Sequence, residues 1–86
     1  MDLPKISFLI PTLNAQKVLG KCLDSLLLQD YPKEKVEVIV ADGGSSDETV
    51  SIAKKFGVGV IDNPLRTGEA GKMAALKVST GQYVAL

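Results

Sequence analysis

The chain has 86 residues, 45% apolar and 23% charged, and its ten Lys and Arg residues are balanced by ten Asp and Glu. A neutral sum with only 5% aromatic residues provides neither the basic footprint nor the stacking platforms of a nucleic-acid binder, so nucleic acid is not an expected partner. One cysteine and no histidine exclude an internal disulfide, a cysteine-based metal site and Ser-His-Asp or Cys-His nucleophilic arrangements.

Ile6 to Ile10 is an apolar run ended by Pro11, the pattern of a short buried strand. Asn14 is a favoured N-cap residue, and Leu19, Cys22, Leu23, Leu26 and Leu27 recur at helical spacing. A helix is therefore predicted over 15–29, with Cys22 packed inward and Lys17, Lys21 and Asp24 on the other face. Asp30-Tyr31-Pro32 stops it, because the residue before proline resists the α conformation. Val36 to Ala41 predicts a second buried strand, and the small polar cluster from Asp42 predicts a tight loop. That loop feeds a helix over 47–56 through the capping box Ser45-x-x-Glu48, and Gly57 supplies the C-terminal cap. Val58 to Ile61 is a third strand broken by Asp62-Asn63-Pro64, and 65–69 reads as an irregular loop. A helix over 70–80, rich in small residues, leads through Gly81 to a fourth strand over 82–86.

Alternating strands with helical stretches of about 10 to 15 residues are the pattern of right-handed parallel crossovers, so an α/β fold is expected. At 86 residues the chain is small for a sheet covered on both faces. Tyr83-Val84-Ala85-Leu86 is apolar with no turn or polar tail after it, so the sequence is expected to be part of a longer protein. The fourth strand is then an open edge suited to self-association. No apolar run reaches the roughly 20 residues of a bilayer span, and the first residues lack the basic start and apolar core of a signal peptide. A cytoplasmic location is expected, or the cytoplasmic face of a membrane if a longer chain carries an anchor.

Parallel strands aim all their C-terminal ends one way, so the loops at 11–14, 42–47 and 62–72 converge on the edge where open α/β sheets bind ligands. Thr12, Asn14, Asp42, Arg66 and Lys72 are thereby brought toward one ligand. A carboxylate accepts hydrogen bonds from a base or a ribose, and Lys and Arg neutralise phosphate, so the set suits a nucleotide. Plainer readings stand beside this one. Asp42 fits a turn for backbone reasons alone, Asp47 fits a helix start, Asn14 fits a cap, and Lys72 and Arg66 fit solvated charges. A P-loop is excluded, since Arg66 stands where its first glycine belongs and Met73 follows Lys72. Two function classes remain: part of a nucleotide-using enzyme, or a complete non-catalytic nucleotide-binding or regulatory module.

The chain resembles the N-terminal half of a family 2 glycosyltransferase catalytic domain. Ile6-Ser-Phe-Leu-Ile-Pro-Thr-Leu-Asn14 looks like that family's first strand and P-T-x-N loop. Asp42-Gly-Gly-Ser-Ser-Asp47 is similar to its D-x-G-S-x-D segment, and the stretch from Gly68 to Leu76 to its G-x-x-x-A-[RK]-N stretch. Two residues depart from the pattern: Leu13 replaces an aromatic residue and Met73 an asparagine. The resemblance implies a truncated GT-A fold, a three-layer α/β structure with a mainly parallel, Rossmann-like sheet and βαβ crossovers, in which 1–86 is the nucleotide-binding half. It further implies a nucleotide diphosphate sugar as partner, with Pro11, Thr12, Asn14, Asp42, Gly44 and Lys72 around it. Asp42 would contact the base, and Lys72 the ribose or diphosphate. The full enzyme would use a divalent metal, Mg or Mn, held by a D-x-D segment after the fourth strand. No catalytic residue and no metal ligand is expected within this chain, which alone is expected to be inactive.

Overall fold

Four strands and three helices alternate among the described residues of the computed structural model, which are 3–79, 81 and 83–85. They are β1 (Ile6–Thr12), α1 (Gln16–Leu27), β2 (Val36–Asp42), α2 (Thr49–Lys55), β3 (Gly59–Asp62), α3 (Gly68–Val78) and β4 (Tyr83–Ala85), with a short 3₁₀ turn at Lys33–Lys35 before β2. The sheet order is β3-β2-β1-β4 and every described pairing is parallel, from Ile6 opposite Val36 to Thr12 opposite Asp42 along its centre.

Strand periodicity assigns the two faces. Val38 and Val40 of β2 join Leu19 and Leu23 of α1 and Ala53 of α2 in one core, while Ile39 and Ala41 join Leu9 and Ala75 of α3 in the other. The helices thus lie on both sides of the sheet, as a parallel sheet requires. Leu9, Leu19, Leu23 and Val40 are fully buried, each stabilising the fold by about 1.5–3 kcal/mol through apolar area removed from water. Ser7 is also fully buried; its hydroxyl donates to Glu37 Oε1 at 2.7 Å and accepts from the Gly81 amide at 3.0 Å, so its polar atom is satisfied.

Several local expectations are corrected. β1 runs through Pro11 to Thr12, because the described ladder to β4 ends at Phe8 and proline stands beyond the doubly paired part of the strand. Cys22 is exposed, since Leu19 and Leu23 alone take the buried stripe of α1. Asp62 belongs to β3, opposite Asp42, where the sequence suggested a break. α3 begins at Gly68, with the Thr67 side chain accepting from the Ala70 amide at 3.1 Å. The expected ends of the last helix and strand at Thr80, Gln82 and Leu86 lie outside the described residues. Gly57, at φ +73°, closes α2 in the left-handed conformation that favours glycine.

Candidate functional site

Asp42 ends β2, is 5% exposed, and has its carboxylate fully engaged. Oδ1 accepts the Thr12 hydroxyl at 2.7 Å and the Ser45 hydroxyl at 2.6 Å, while Oδ2 accepts the amides of Gly44 at 3.1 Å and Ser45 at 2.8 Å. Gly44 at φ +94° lets the loop fold back so that these amides face the carboxylate. Burial raises the Asp42 pKa, but the bonds from Ser45, Thr12 and Gly44 outweigh it and hold the group below its ordinary 3.8. A buried, ionised carboxylate therefore stands at the C-terminal edge of the two central strands.

Next to it, the loops after β1 and β2 are laced together. The Asn14 amide donates to Ser45 Oγ at 2.8 Å, and Asn14 Oδ1 accepts the Ser46 amide at 2.9 Å. Asn14 is therefore not the N-cap of α1: its φ of +52° is left-handed, its side chain is used across the loop, and Ala15 takes the cap position. Nor does Ser45-x-x-Glu48 form a capping box, because the Ser45 hydroxyl is committed to Asp42 and Asn14. Instead each helix start is capped by the other loop. The Ala15 amide donates to Thr49 Oγ1 at 2.8 Å, the Gln16 amide to Asp47 Oδ2 at 3.2 Å, and the Glu48 amide to Gln16 Oε1 at 2.9 Å. Asp47 Oδ1 also accepts the Thr49 amide at 2.9 Å and its hydroxyl. The Thr49 hydroxyl is the main cause that lowers the Asp47 pKa.

The third loop is built on Asn63, which is 3% exposed. Its amide donates to the Asp42 carbonyl at 2.8 Å, its side chain to the Thr67 carbonyl at 2.8 Å, and its own carbonyl accepts the Arg66 amide at 3.0 Å. The turn thus closed lies against Gly43, where an added Cβ would sit 3.2 Å from Arg66 Cα. Gly71 brings α3 closer still, since a Cβ there would meet both Pro11 Cβ and Asn63 Nδ2 at 2.8 Å.

Among the described residues, two adjoining clefts on this edge share Asn63 and Arg66. One, of about 170 Å³, has Pro11, Thr12 and Leu13 on the β1 side and Asn63, Arg66 and Thr67 on the other. The second, of about 220 Å³, is lined by Asp42, Gly43, Gly44, Asp62, Asn63 and Arg66, together with Pro64. The structure therefore brings Pro11, Thr12, Asp42 and Gly44 together around adjoining clefts. Asn14 sits behind them in the loop latch, and Lys72, half-buried on α3, lines neither cleft. Asn63 and Ser45 were missed as site residues, although Asp62-Asn63-Pro64 at a strand end was a signal for a shaped turn. Among the described residues no group of three or more His, Cys, Asp or Glu could hold a metal, and no helix is long and apolar enough to cross a membrane.

A parallel α/β sheet with a buried carboxylate and two clefts at its C-terminal edge has the form of a nucleotide-binding fold. The chain belongs to glycosyl transferase family 2, whose sequence model matches residues 7–86. It is 34% identical to the poly(ribitol-phosphate) beta-glucosyltransferase of Bacillus spizizenii, covering 93% of this chain and 14% of that protein. Among solved structures it is similar to the mannosyltransferase PcManGT of Pyrobaculum calidifontis in complex with GDP-Man and Mn2+, with TM-score 0.85 and 29% identity over 98% of this chain and 27% of that one. It is also similar to Staphylococcus aureus TarS in complex with UDP, with TM-score 0.83 and 33% identity over 93% of this chain and 25% of that one. These likenesses give the chain the GT-A type of α/β fold. The chain spans 14% to 29% of the length of three curated relatives that it matches.

Proposed function

We propose that the protein containing this chain transfers a sugar from a nucleotide diphosphate donor to an acceptor hydroxyl, and that the chain forms the nucleotide side of the donor site. The observation that carries this reading is the ionised Asp42 carboxylate, which lines a cleft where three strand-end loops meet. Relatives solved with GDP-Man or with UDP support the ligand class, and membership of a transferase family favours the reading over a non-catalytic regulatory module.

Pro11, Thr12 and Gly44 shape the walls around Asp42, Asn14 holds the loop behind them, and Lys72, outside both clefts, serves the ribose or diphosphate. Each Asp42 oxygen already accepts two hydrogen bonds, which fills its lone-pair sites. A base N–H therefore reaches the carboxylate by taking the place of the Thr12 or Ser45 hydroxyl, which rotates away. A divalent metal is assigned to the donor diphosphate, a reading supported by relatives solved in complex with Mn2+ together with GDP-Man or UDP. The described residues do not fit such an ion, having no suitable carboxylate group, so its ligands are assigned to other parts of the protein.

The test is calorimetric titration with UDP and GDP, using ADP as control. One of the first two binds the full protein, and Asp42→Asn weakens it by more than about tenfold, or 1.4 kcal/mol, as expected for loss of a charge-assisted hydrogen bond. An unchanged affinity in a folded Asp42→Asn protein rejects the role of Asp42.

A further inference from the structure

None of the residues lining either cleft is aromatic, and Leu13, 43% exposed, stands where the family resemblance places a ring. A planar base bound there lacks the usual stacking partner from the loop after β1. Asn63 and Arg66 line both clefts and form the wall they share; the Asn63 amide is committed to the Thr67 carbonyl, which leaves the Arg66 guanidinium as the larger flat, delocalised group there. It comes from the loop after β3, whereas Leu13 follows β1, and Gly43 at the end of the intervening β2 lies between them.

Three observations describe how Arg66 is placed: its backbone is fixed and its guanidinium is left available. Its backbone occupies the left-handed region at φ +61°, a conformation uncommon for a residue with a side chain. The turn that carries it is fixed by the Arg66 amide bond to the Asn63 carbonyl and by the Asn63 amide bond to the Asp42 carbonyl. Its guanidinium has no hydrogen-bond or ion-pair partner among the described residues, although Asp42 and Asp62 line the same cleft.

Resting on the donor-site reading above, we infer that Arg66 is the stacking residue for the nucleotide base, its guanidinium plane covering one face of the ring while Leu13 packs from the β1 side. Guanidinium groups are weakly hydrated and stack on aromatic faces, and arginine planes serve as platforms for unstacked bases. The rival role, a phosphate contact, is disfavoured by charge. The 220 Å³ cleft beside Arg66 carries two carboxylates, Asp42 and Asp62, which repel a diphosphate but accept hydrogen bonds from a base or ribose.

Substitutions at Arg66 separate the two roles because stacking needs a plane and phosphate binding needs a charge. The full protein is titrated with uridine, guanosine, UDP and GDP, and its urea midpoint is recorded for each variant. Arg66→Lys and Arg66→Asn, the latter suited to the left-handed backbone, are expected to weaken nucleoside and nucleoside diphosphate equally, on the order of tenfold for one lost stacking contact. Arg66→Tyr is expected to stay within about threefold of the unsubstituted protein, with an unchanged salt dependence, because a ring replaces the plane. If Arg66→Lys binds normally while Arg66→Asn loses affinity only for the diphosphates, Arg66 is a phosphate ligand and the inference is overturned. It is also overturned if folded Lys and Asn variants bind as the unsubstituted protein does. Binding of none of the four probes by the unsubstituted protein overturns the donor-site reading itself, a distinct result.

Discussion

The two ends of the sheet are built on different principles. At the N-terminal end of the strands, a cleft of about 360 Å³ is lined by Lys5, Leu27, Lys33, Glu34 and neighbouring strand residues, a larger space than either cleft at the opposite edge. Its polar contacts include a Lys5–Glu37 ion pair at 3.9 Å. At the C-terminal end the spaces are smaller, but a buried carboxylate, three interlocked loops and two mutually capped helices surround them. Room alone does not make a binding site. Fixed, desolvated polar groups do, because their orientation is set before a ligand arrives.

Substitutions sharpen this contrast. The largest effect is expected from Asp42→Ala, which strands two hydroxyls and two amides at a buried position and should cost about 3 kcal/mol in urea unfolding. A loss below about 1 kcal/mol would mean that water replaces the carboxylate freely, and the contrast between the ends would fail. Thr49→Val comes next, at about 1–2 kcal/mol, because Thr49 is fully buried and its hydroxyl caps the start of α1. Acid should act through the same edge. The folded pKa of Asp42 is depressed, so its contribution to stability is complete above the unfolded value of 3.8 and is lost as pH falls through the lower, folded value. Asp42→Asn should flatten unfolding free energy against pH in that range, and an unaltered profile would assign acid sensitivity to other carboxylates. The smallest effect is expected from Lys5→Ala at the opposite end. A 3.9 Å pair with a lysine side chain 35% exposed contributes no more than about 0.5 kcal/mol after solvent screening, measured by the same unfolding curve.

The strands and their order were legible because apolar runs bounded by proline and glycine carry their own signal, and the three-layer arrangement follows from the number and length of the crossovers. The convergence of Thr12 and Asp42 was legible for the same reason, since parallel register alone places both at one edge. Helix starts were legible only at Asp47, whose carboxylate accepts the Thr49 amide. Asn14 and Ser45 are good cap residues by type, yet each bonds across to a loop about thirty residues away, where tertiary geometry prevails over local preference. Cys22 matched the apolar period of α1 but falls at the edge of a stripe too narrow to cover it. Asn63 read as a strand breaker because its importance lies in three hydrogen bonds that sequence spacing does not encode.

The mutual capping of α1 and α2 also bears on how the chain acquires its structure. The start of α1 has no side-chain cap within its own segment and borrows two, from Thr49 and Asp47, 34 and 31 residues distant, while α2 keeps a local cap from Asp47 to the Thr49 amide and takes Gln16, 32 residues away, for its Glu48 amide. The first turn of α1 is therefore completed only when the start of α2 has docked, and in return the Glu48 amide of α2 is satisfied by Gln16 of α1. Because these bonds join two segments, the edge is expected to open as one cooperative unit. Amide hydrogen exchange at Ala15, Gln16 and Glu48 should accordingly share a single opening free energy, although the first two residues and the third belong to different helices.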